Sequence, residues 1–215
     1  MVDMRTDDLI RVLASDQPVP TRSTAGWMML CVPIGFAVSA VLFSVALGPR
    51  PDIATAATTT RFVLKVVEML LLAGATAVLA LRLARPAAST SGAALVVLCA
   101  ASLPVLAAAL ELLLVPSAQW SARLVGSNSR ICLTAIPLLS LPLLAAVLYV
   151  LRQGAPTAPG LAGAIAGVLA GAAAATLYAL HCTDDSPLFV VTWYSLAIAG
   201  VTLLGWALGR YALRW

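Results

Sequence analysis

The segment 161–181, LAGAIAGVLAGAAAATLYALH, decides the fold of this 215-residue chain. It is an apolar run about as long as the ~20 residues that a helix needs to cross a lipid bilayer. Gly163, Gly167 and Gly171 recur at every fourth position, so they share one helix face, and a face of glycines lets a neighbouring backbone approach closely. We therefore predict that this segment is a membrane-spanning helix at the packing centre of a helical bundle.

The composition of the whole chain agrees with this prediction. It is 61% hydrophobic and 10% charged, with a mean hydropathy of +1.00, and these values are outside the range of soluble domains. Further apolar runs of spanning length occur at 27–47, 62–83, 92–115, 131–151 and 188–209. Their Ala, Leu and Gly content, without period-two alternation, favours helices over a β-barrel. The predicted fold is all-α, an integral membrane bundle of six transmembrane helices that occupies residues 27–215.

Arginine is unevenly distributed between the two sides of the predicted bundle. If the N-terminus is cytoplasmic, the arginines on that side are Arg5, Arg11, Arg22, Arg82, Arg85, Arg152, Arg210 and Arg214, and those on the outer side are Arg50, Arg61, Arg123 and Arg130. Cytoplasmic flanks of membrane proteins are enriched in Lys and Arg, so we predict that both termini are cytoplasmic. The same bias explains the net charge of +4, which therefore does not indicate a nucleic-acid partner.

Residues 1–26 form a cytoplasmic peptide that is shorter than the roughly 40 residues a domain needs to hold its own core. Two aspartates follow Thr6, where a positive helix dipole favours them, and three apolar residues share one face of the helix. We predict a short amphipathic helix that folds on a partner protein. Its candidate partner-binding residues are Asp7, Asp8, Leu9, Ile10 and Leu13. A helix lying on the membrane is the alternative, which acidic residues beside anionic lipid disfavour.

The four cysteines divide into two pairs by predicted depth. Cys31 and Cys99 lie toward the cytoplasmic side, and Cys132 and Cys182 lie at the outer boundary. The two helices that carry the outer pair are consecutive and joined by a short loop, so we expect antiparallel neighbours. The outer pair is a structural bridge, a redox sensor or a metal site, unless both thiols are only buried small residues. We favour a function for the outer pair and none for the inner pair.

The outer end of the fifth predicted span adds further ligand types. It carries the single histidine of the chain, followed by a cysteine and two adjacent aspartates. Thiol, imidazole and carboxylate groups are what soft metals bind, and thiolates are what oxidants attack. The candidate sensing residues are Cys132, His181 and Cys182, and the candidate metal ligands are Cys132, His181, Cys182, Asp184 and Asp185. We expect no resident cofactor, only transient ligation of a heavy metal.

Ionisable residues also occur inside two predicted spans. Lys65 and Glu68 lie three residues apart on one face of the second span, and Glu111 lies at a similar outer depth in the third. Such residues are costly in hydrocarbon unless they are paired or functional. We expect these three to form either a mutually satisfied polar cluster or an extension of the cysteine site.

Several motifs resemble those of one family. They are TDDLIRVLASD at 6–16, LRQGAP at 151–156, the glycine-rich run that ends in LYALHC at 182, the acidic pair that follows it, and the final LRW. They resemble the NrsF family of bacterial membrane anti-sigma factors, which are negative regulators of an extracytoplasmic-function sigma factor. The resemblance covers nearly the whole chain. Cys31 and Cys99 are additional thiols that have no place in the family pattern.

The resemblance implies a multi-pass protein of the bacterial inner membrane with six helices. Its cytoplasmic N-terminus would hold the sigma factor inactive and release it under heavy-metal or oxidative stress. Two outward-facing cysteines are associated with this response in the family, and Cys132 and Cys182 match them by position. The implied partners are the sigma factor and membrane lipid. We expect that reaction of this pair shifts the fourth helix against the fifth and weakens the hold on the sigma factor.

Two other classes of function compete with this interpretation. A small-cation or metal transporter would use the ionisable residues as a path, but they gather near the outer boundary rather than at the midplane, where substrate sites are expected. A membrane thiol oxidoreductase would need a C-x-x-C pair, which the sequence does not contain. The motifs of hydrolases and phosphate-binding loops are also missing from it. We therefore predict a regulator and not an enzyme, and a purely structural membrane protein is the remaining alternative.

Overall fold

The computed structural model describes residues 6–15, 23–85 and 88–214, and this part of the chain is helical without a β-strand. Six helices are long and apolar enough to cross a membrane, as predicted. They are α2 (Thr24–Ala46), α4 (Thr60–Leu83), α5 (Ser91–Leu114), α7 (Ser129–Arg152), α8 (Pro159–Ala179) and a sixth at Pro187–Ala212. The sixth consists of α9 (Pro187–Phe189), a π-helical turn (Val190–Tyr194) and α10 (Ser195–Ala212).

The helix α8 lies at the centre of the bundle and is the most buried of the six spans. It packs against α10, α4 and α7. Its glycines face the glycines of α10 at backbone distance: a Cβ atom added to Gly163 would lie 2.2 Å from the carbonyl oxygen of Gly205, and one added to Gly205 would lie 2.4 Å from that of Gly163. The glycine spacing in the sequence therefore marks a helix contact that no larger residue permits.

Three shorter α-helices and a 3-10 turn at Ser117–Gln119 complete the described structure. The first, α1 (Thr6–Ser15), coincides with the predicted amphipathic helix, and the side chains of Asp7 and Ile10 on it are exposed. The side chains of Asp8, Leu9 and Leu13, which belong to the predicted partner-binding set, lie outside the described part of the chain. The other two are α3 (Ile53–Ala56) and α6 (Trp120–Val125), which follow α2 and α5.

One end of the bundle is built from residues 47–61, 114–132 and 180–188, and we call it the cysteine end. The connections there are bonded to one another: the Arg50 N–H donates to the Leu180 carbonyl at 2.9 Å, and the indole N–H of Trp193 donates to the Leu124 carbonyl at 2.7 Å. At the opposite end the Ala155 N–H donates to the carbonyl of Ala84. Most of the polar side chains that the sequence places within or beside the spans meet at the cysteine end.

Candidate functional site

Cys132 and Cys182 lie in the same buried cluster at the cysteine end. Cys132 is in the first turn of α7, and Cys182 is in the loop that follows α8. Both side chains are completely buried, and both are free thiols. Cys31 in α2 is partly buried and Cys99 in α5 is exposed on the surface of its helix. The two cysteines of the predicted outer pair thus lie together and buried, whereas Cys31 and Cys99 lie on two other helices.

The surroundings of Cys182 keep its thiol protonated. Burial raises the pKa of the Cys182 thiol, and the nearby ammonium group of Lys65 opposes this rise only in part. Tyr178 and Tyr194 flank the thiol, with their ring centroids 5.8 Å apart. Because thiolates rather than thiols attack oxidants and bind metals, the raised pKa disfavours the reactive form of this cysteine.

A group of buried charges fixes the backbone of the loop that carries Cys182. The ammonium of Lys65, which is 1% exposed, donates to the Cys182 carbonyl at 2.9 Å and to the carboxylate of Asp185. The guanidinium of Arg50 donates to the same carboxylate at 2.8 Å, to the Cys182 carbonyl at 3.3 Å, and to Asp52. We call Arg50, Asp52, Lys65 and Asp185 the charge network.

Two members of the charge network, Arg50 and Asp52, were not predicted as site residues. Arg50 was expected only among the outer positive charges, and Asp52 was not singled out. The Asp52 carboxylate raises the pKa of Arg50 further above its ordinary value, and Arg50 lowers the pKa of Asp52. The signal available in the sequence was the short loop GPRPD at 48–52, which places two opposite charges directly after the first span.

Glu111 holds a second group of polar contacts at the cysteine end. Its Oε1 atom accepts from Arg123 at 2.8 Å and lies 3.1 Å from the guanidinium of Arg61. Its Oε2 atom accepts from the hydroxyl of Ser186 at 2.6 Å and from the N–H of Leu188 at 3.0 Å. The carboxylate thus accepts a hydrogen bond from a backbone N–H in the first turn of α9 and links α9 to α5, α4 and α6.

Of the two alternatives expected for Lys65, Glu68 and Glu111, the mutually satisfied cluster does not form, whereas Lys65 does contact the loop that carries Cys182. Lys65 forms an ion pair with Asp185, and Glu111 forms ion pairs with Arg61 and Arg123. Glu68 is 3% exposed, and among the described residues its Oε1 atom has no hydrogen-bond partner. The partners of Lys65 and Glu111 lie in a distant loop and on neighbouring helices, so their positions depend on the fold.

Asp184 connects the two loops that carry the buried cysteines. Its Oδ2 atom accepts from the backbone N–H of Ser127 at 3.1 Å and from the backbone N–H and side-chain amide of Asn128, each at 2.9 Å. Asn128 precedes α7, and its carbonyl accepts from the N–H of Cys132 at 2.8 Å. A shift of the loop at Cys182 is therefore transmitted to the turn at Cys132.

The structure does not bring the five predicted metal ligands together. The polar members have different partners. Nδ1 of His181 lies 2.9 Å from the Gly48 carbonyl oxygen. Asp184 accepts from Asn128, and Asp185 accepts from Arg50. Within residues 6–15, 23–85 and 88–214, no three His, Cys, Asp or Glu side chains form a group that could hold a metal ion. The predicted set of Cys132, His181, Cys182, Asp184 and Asp185 would therefore need a rearrangement of the loop to act jointly.

Comparison with known proteins gives a consistent match. Residues 13–215 match the family model described as NrsF, negative regulator of sigma F. The chain is 36% identical over 223 residues to a protein of Caulobacter vibrioides named anti-sigma-F factor NrsF, covering 99% of this chain and all of that protein. It is also 36% identical over 217 residues to the probable anti-sigma-F factor NrsF of Azospira oryzae, with the same coverage. No solved structure matches the chain significantly.

Proposed function

This chain belongs to the NrsF family of negative regulators of sigma F, and from that premise we propose that it is an anti-sigma factor of the bacterial inner membrane. In this proposal, the N-terminal segment 1–26 binds an extracytoplasmic-function sigma factor in the cytoplasm and keeps it from RNA polymerase. Heavy-metal or oxidative stress, sensed at the cysteine end on the outer side, releases the sigma factor.

The properties of α1 support its role as the output of the protein. The helix has 10 residues, and a helix of this length is only marginally stable in water without a partner. Asp7 is exposed, and the apolar side chain of Ile10 is 59% exposed. An exposed apolar residue beside acidic residues fits a groove with a basic rim on a partner protein.

The buried thiols support a role for the cysteine end as the input. Cys132 and Cys182 share one apolar cluster without being linked, so their oxidation to a disulfide would add a covalent bond and transfer two protons and two electrons to the oxidant. A soft cation would instead displace the thiol protons and bind both sulfurs. Either reaction changes the packing around Cys182, and it requires the loop to open because the thiol is buried and protonated.

The single observation that carries the proposal is the set of bonds between the Cys182 loop and the end of α2. Arg50 binds the carbonyls of Leu180 and Cys182, and Nδ1 of His181 lies at hydrogen-bond distance from the Gly48 carbonyl. Gly48 and Arg50 follow α2 directly, and α2 is the span that follows the N-terminal segment. A rearranged cysteine loop would therefore shift α2 along its length and change the position of the sigma-binding segment. This route differs from the predicted movement of the fourth span against the fifth.

Transcription from a sigma-dependent promoter tests the input. Cells would carry the wild type, the Cys132→Ser and Cys182→Ser double variant, or the Cys31→Ser and Cys99→Ser double variant as a control with the same number of thiols removed. On addition of cadmium or chromate we expect induction in the wild type and the control, and repression without induction in the first variant. Normal induction in the first variant would contradict the sensing role of the pair.

The output has a separate test in unstressed cells. Changing Ile10→Asp places a charge on the proposed contact face, and we expect constitutive transcription because the sigma factor is no longer held. Arg11→Gln alters a neighbouring position and serves as the control, with immunoblots to check that both variants reach the membrane in equal amounts. Repression that persists in Ile10→Asp would show that α1 is not the binding element.

A further inference from the structure

A groove beside Glu68 lies next to the cysteine end but is lined by neither of the buried cysteines. It runs between α4 and α5, has a volume of about 350 Å³, and has apolar walls that include Leu64, Leu103, Leu106 and Leu110. Leu64, Leu106 and Leu110 are among the exposed apolar side chains of the bundle. The groove therefore opens sideways, toward the hydrocarbon of the membrane.

The polar groups of the groove are placed at two depths. Arg61 and Glu111 form an ion pair at its rim, with 3.1 Å between Nη1 and Oε1. Glu68 is seven residues further along α4, about 10 Å deeper at the helical rise of 1.5 Å per residue. The deep end thus holds one carboxyl group, and the wall between the two depths is apolar.

The hydrogen bonds around the groove leave one buried oxygen without a donor. Arg61 and Arg123 satisfy Oε1 of Glu111, and its Oε2 is used by Ser186 and Leu188. Lys65, one turn from Glu68 on the same helix, is committed to Asp185 and the Cys182 carbonyl. Glu68 itself is almost completely buried, and within the described part of the chain its Oε1 atom has no donor.

A carboxyl group in this position needs a partner that the described residues do not supply. A buried polar atom without a hydrogen bond is costly, and ionisable residues inside membrane spans are rarely kept without a function. The missing group must donate a hydrogen bond, preferably with a positive charge, and it must reach Glu68 from the lipid side. We propose that the groove binds a lipophilic amine, with its ammonium group on Glu68 and its apolar body against Leu64, Leu103 and Leu106.

Two sources could provide this chemistry. One is the aminoethyl head of a membrane phospholipid, and the other is a free amphiphilic amine that has partitioned into the bilayer. Both present an N–H-bearing ammonium attached to apolar chains. The site is independent of the proposed sigma-factor binding, because it uses neither α1 nor the buried thiols.

Native mass spectrometry of the full chain in an uncharged detergent tests the proposal at pH 7. Dodecylamine is the probe for a free amine. Dodecanol, with the same chain and no charge, and dodecyltrimethylammonium, with the charge and no N–H, are the comparison ligands. A second arm compares phosphatidylethanolamine with phosphatidylcholine. We expect one bound amine per chain and at least tenfold weaker binding of the comparison ligands. Preference for the phospholipid or for dodecylamine distinguishes the two sources.

Variants assign the binding to the groove. Glu68→Gln should weaken amine binding at least tenfold, whereas Asp7→Asn, which removes the same charge from an exposed position, should bind like the wild type. Leu106→Trp fills the groove without changing Glu68 and should also abolish binding. This variant tests the site even if Glu68→Gln does not fold. Equal binding of amine and dodecanol, undiminished binding by both groove variants, or a wild-type dimer that Glu68→Gln dissociates would overturn the proposal.

Discussion

Helices α8 and α10 pack backbone against backbone, whereas the cysteine end is held together by ion pairs between opposite charges. The first contact rests on glycines whose missing side chains let two helices touch. The second rests on Arg50 and Lys65, which both donate to the carboxylate of Asp185 and to the carbonyl of Cys182. A contact of close-packed backbones has no alternative arrangement to move to, but a polar network can exchange partners when a neighbouring group changes. The comparison indicates a rigid centre that supports a rearrangeable end.

The rigid centre gives the largest expected effect. Gly163→Leu would place a Cβ atom 2.2 Å from the Gly205 carbonyl oxygen, a distance that only separation of α8 and α10 can relieve. We expect loss of the folded, monodisperse protein in gel filtration after membrane extraction. Gly74→Leu is the matched control, since nothing lies within 4 Å of a Cβ atom there, and it should leave the yield unchanged. A well-folded Gly163→Leu protein would refute the close contact.

Breaking the charge network should have the next largest effect. Lys65→Met removes a buried ammonium that binds both the Asp185 carboxylate and the Cys182 carbonyl. Arg50 still pairs with Asp185, so we expect a loss of about 1.5–3 kcal/mol, the range for hydrogen bonds to charged groups. Thermal unfolding in detergent measures the loss of stability. Arg61→Met is the control, because Arg61 is half exposed and Arg123 still pairs with Glu111, and it should cost less than about 1 kcal/mol. Equal losses in the two variants would show that burial does not distinguish the ion pairs.

Removal of the link between the two cysteine loops should have a smaller effect on stability and a clear effect on reactivity. Asp184→Ala deletes the acceptor for Ser127 and Asn128, at a cost of about 1–3 kcal/mol for the donors left behind. We expect Cys182 to react roughly tenfold faster with methyl methanethiosulfonate, because a looser loop exposes its thiol more often. Cys31, at the other end of α2, should react at an unchanged rate. The reaction sites can be counted by peptide mass spectrometry.

The centre of the molecule could be predicted from the sequence far better than the cysteine end. The helix repeat and the glycine spacing are local signals, so the six spans and the role of segment 161–181 follow from them. The partners of Lys65 and Glu111 do not, because Asp185 lies in a distant loop and Arg123 lies on another helix. Asp184 and Asp185 were identified as candidate site residues, but their structural role as acceptors for Asn128, Arg50 and Lys65 depends on loop positions that carry no periodic signal.

The outermost ion pair of the charge network, between Arg50 and Asp52, gives the smallest expected effect. Its contribution can be measured from the dependence of thermal stability on pH. Arg50 lowers the pKa of the exposed Asp52 carboxylate below its ordinary value of 3.8. A lowered pKa means that the folded state binds the proton less readily than the unfolded state, so the contribution is complete above pH 3.8 and is lost as the pH falls through the lower folded-state value. In thermal unfolding between pH 6 and 3 we expect Asp52→Asn to lose slightly less stability than the wild type. The difference should shrink in 1 M salt, because exposed ion pairs are screened. A difference that persists in salt would place Asp52 with the buried charges rather than at the exposed edge of the network.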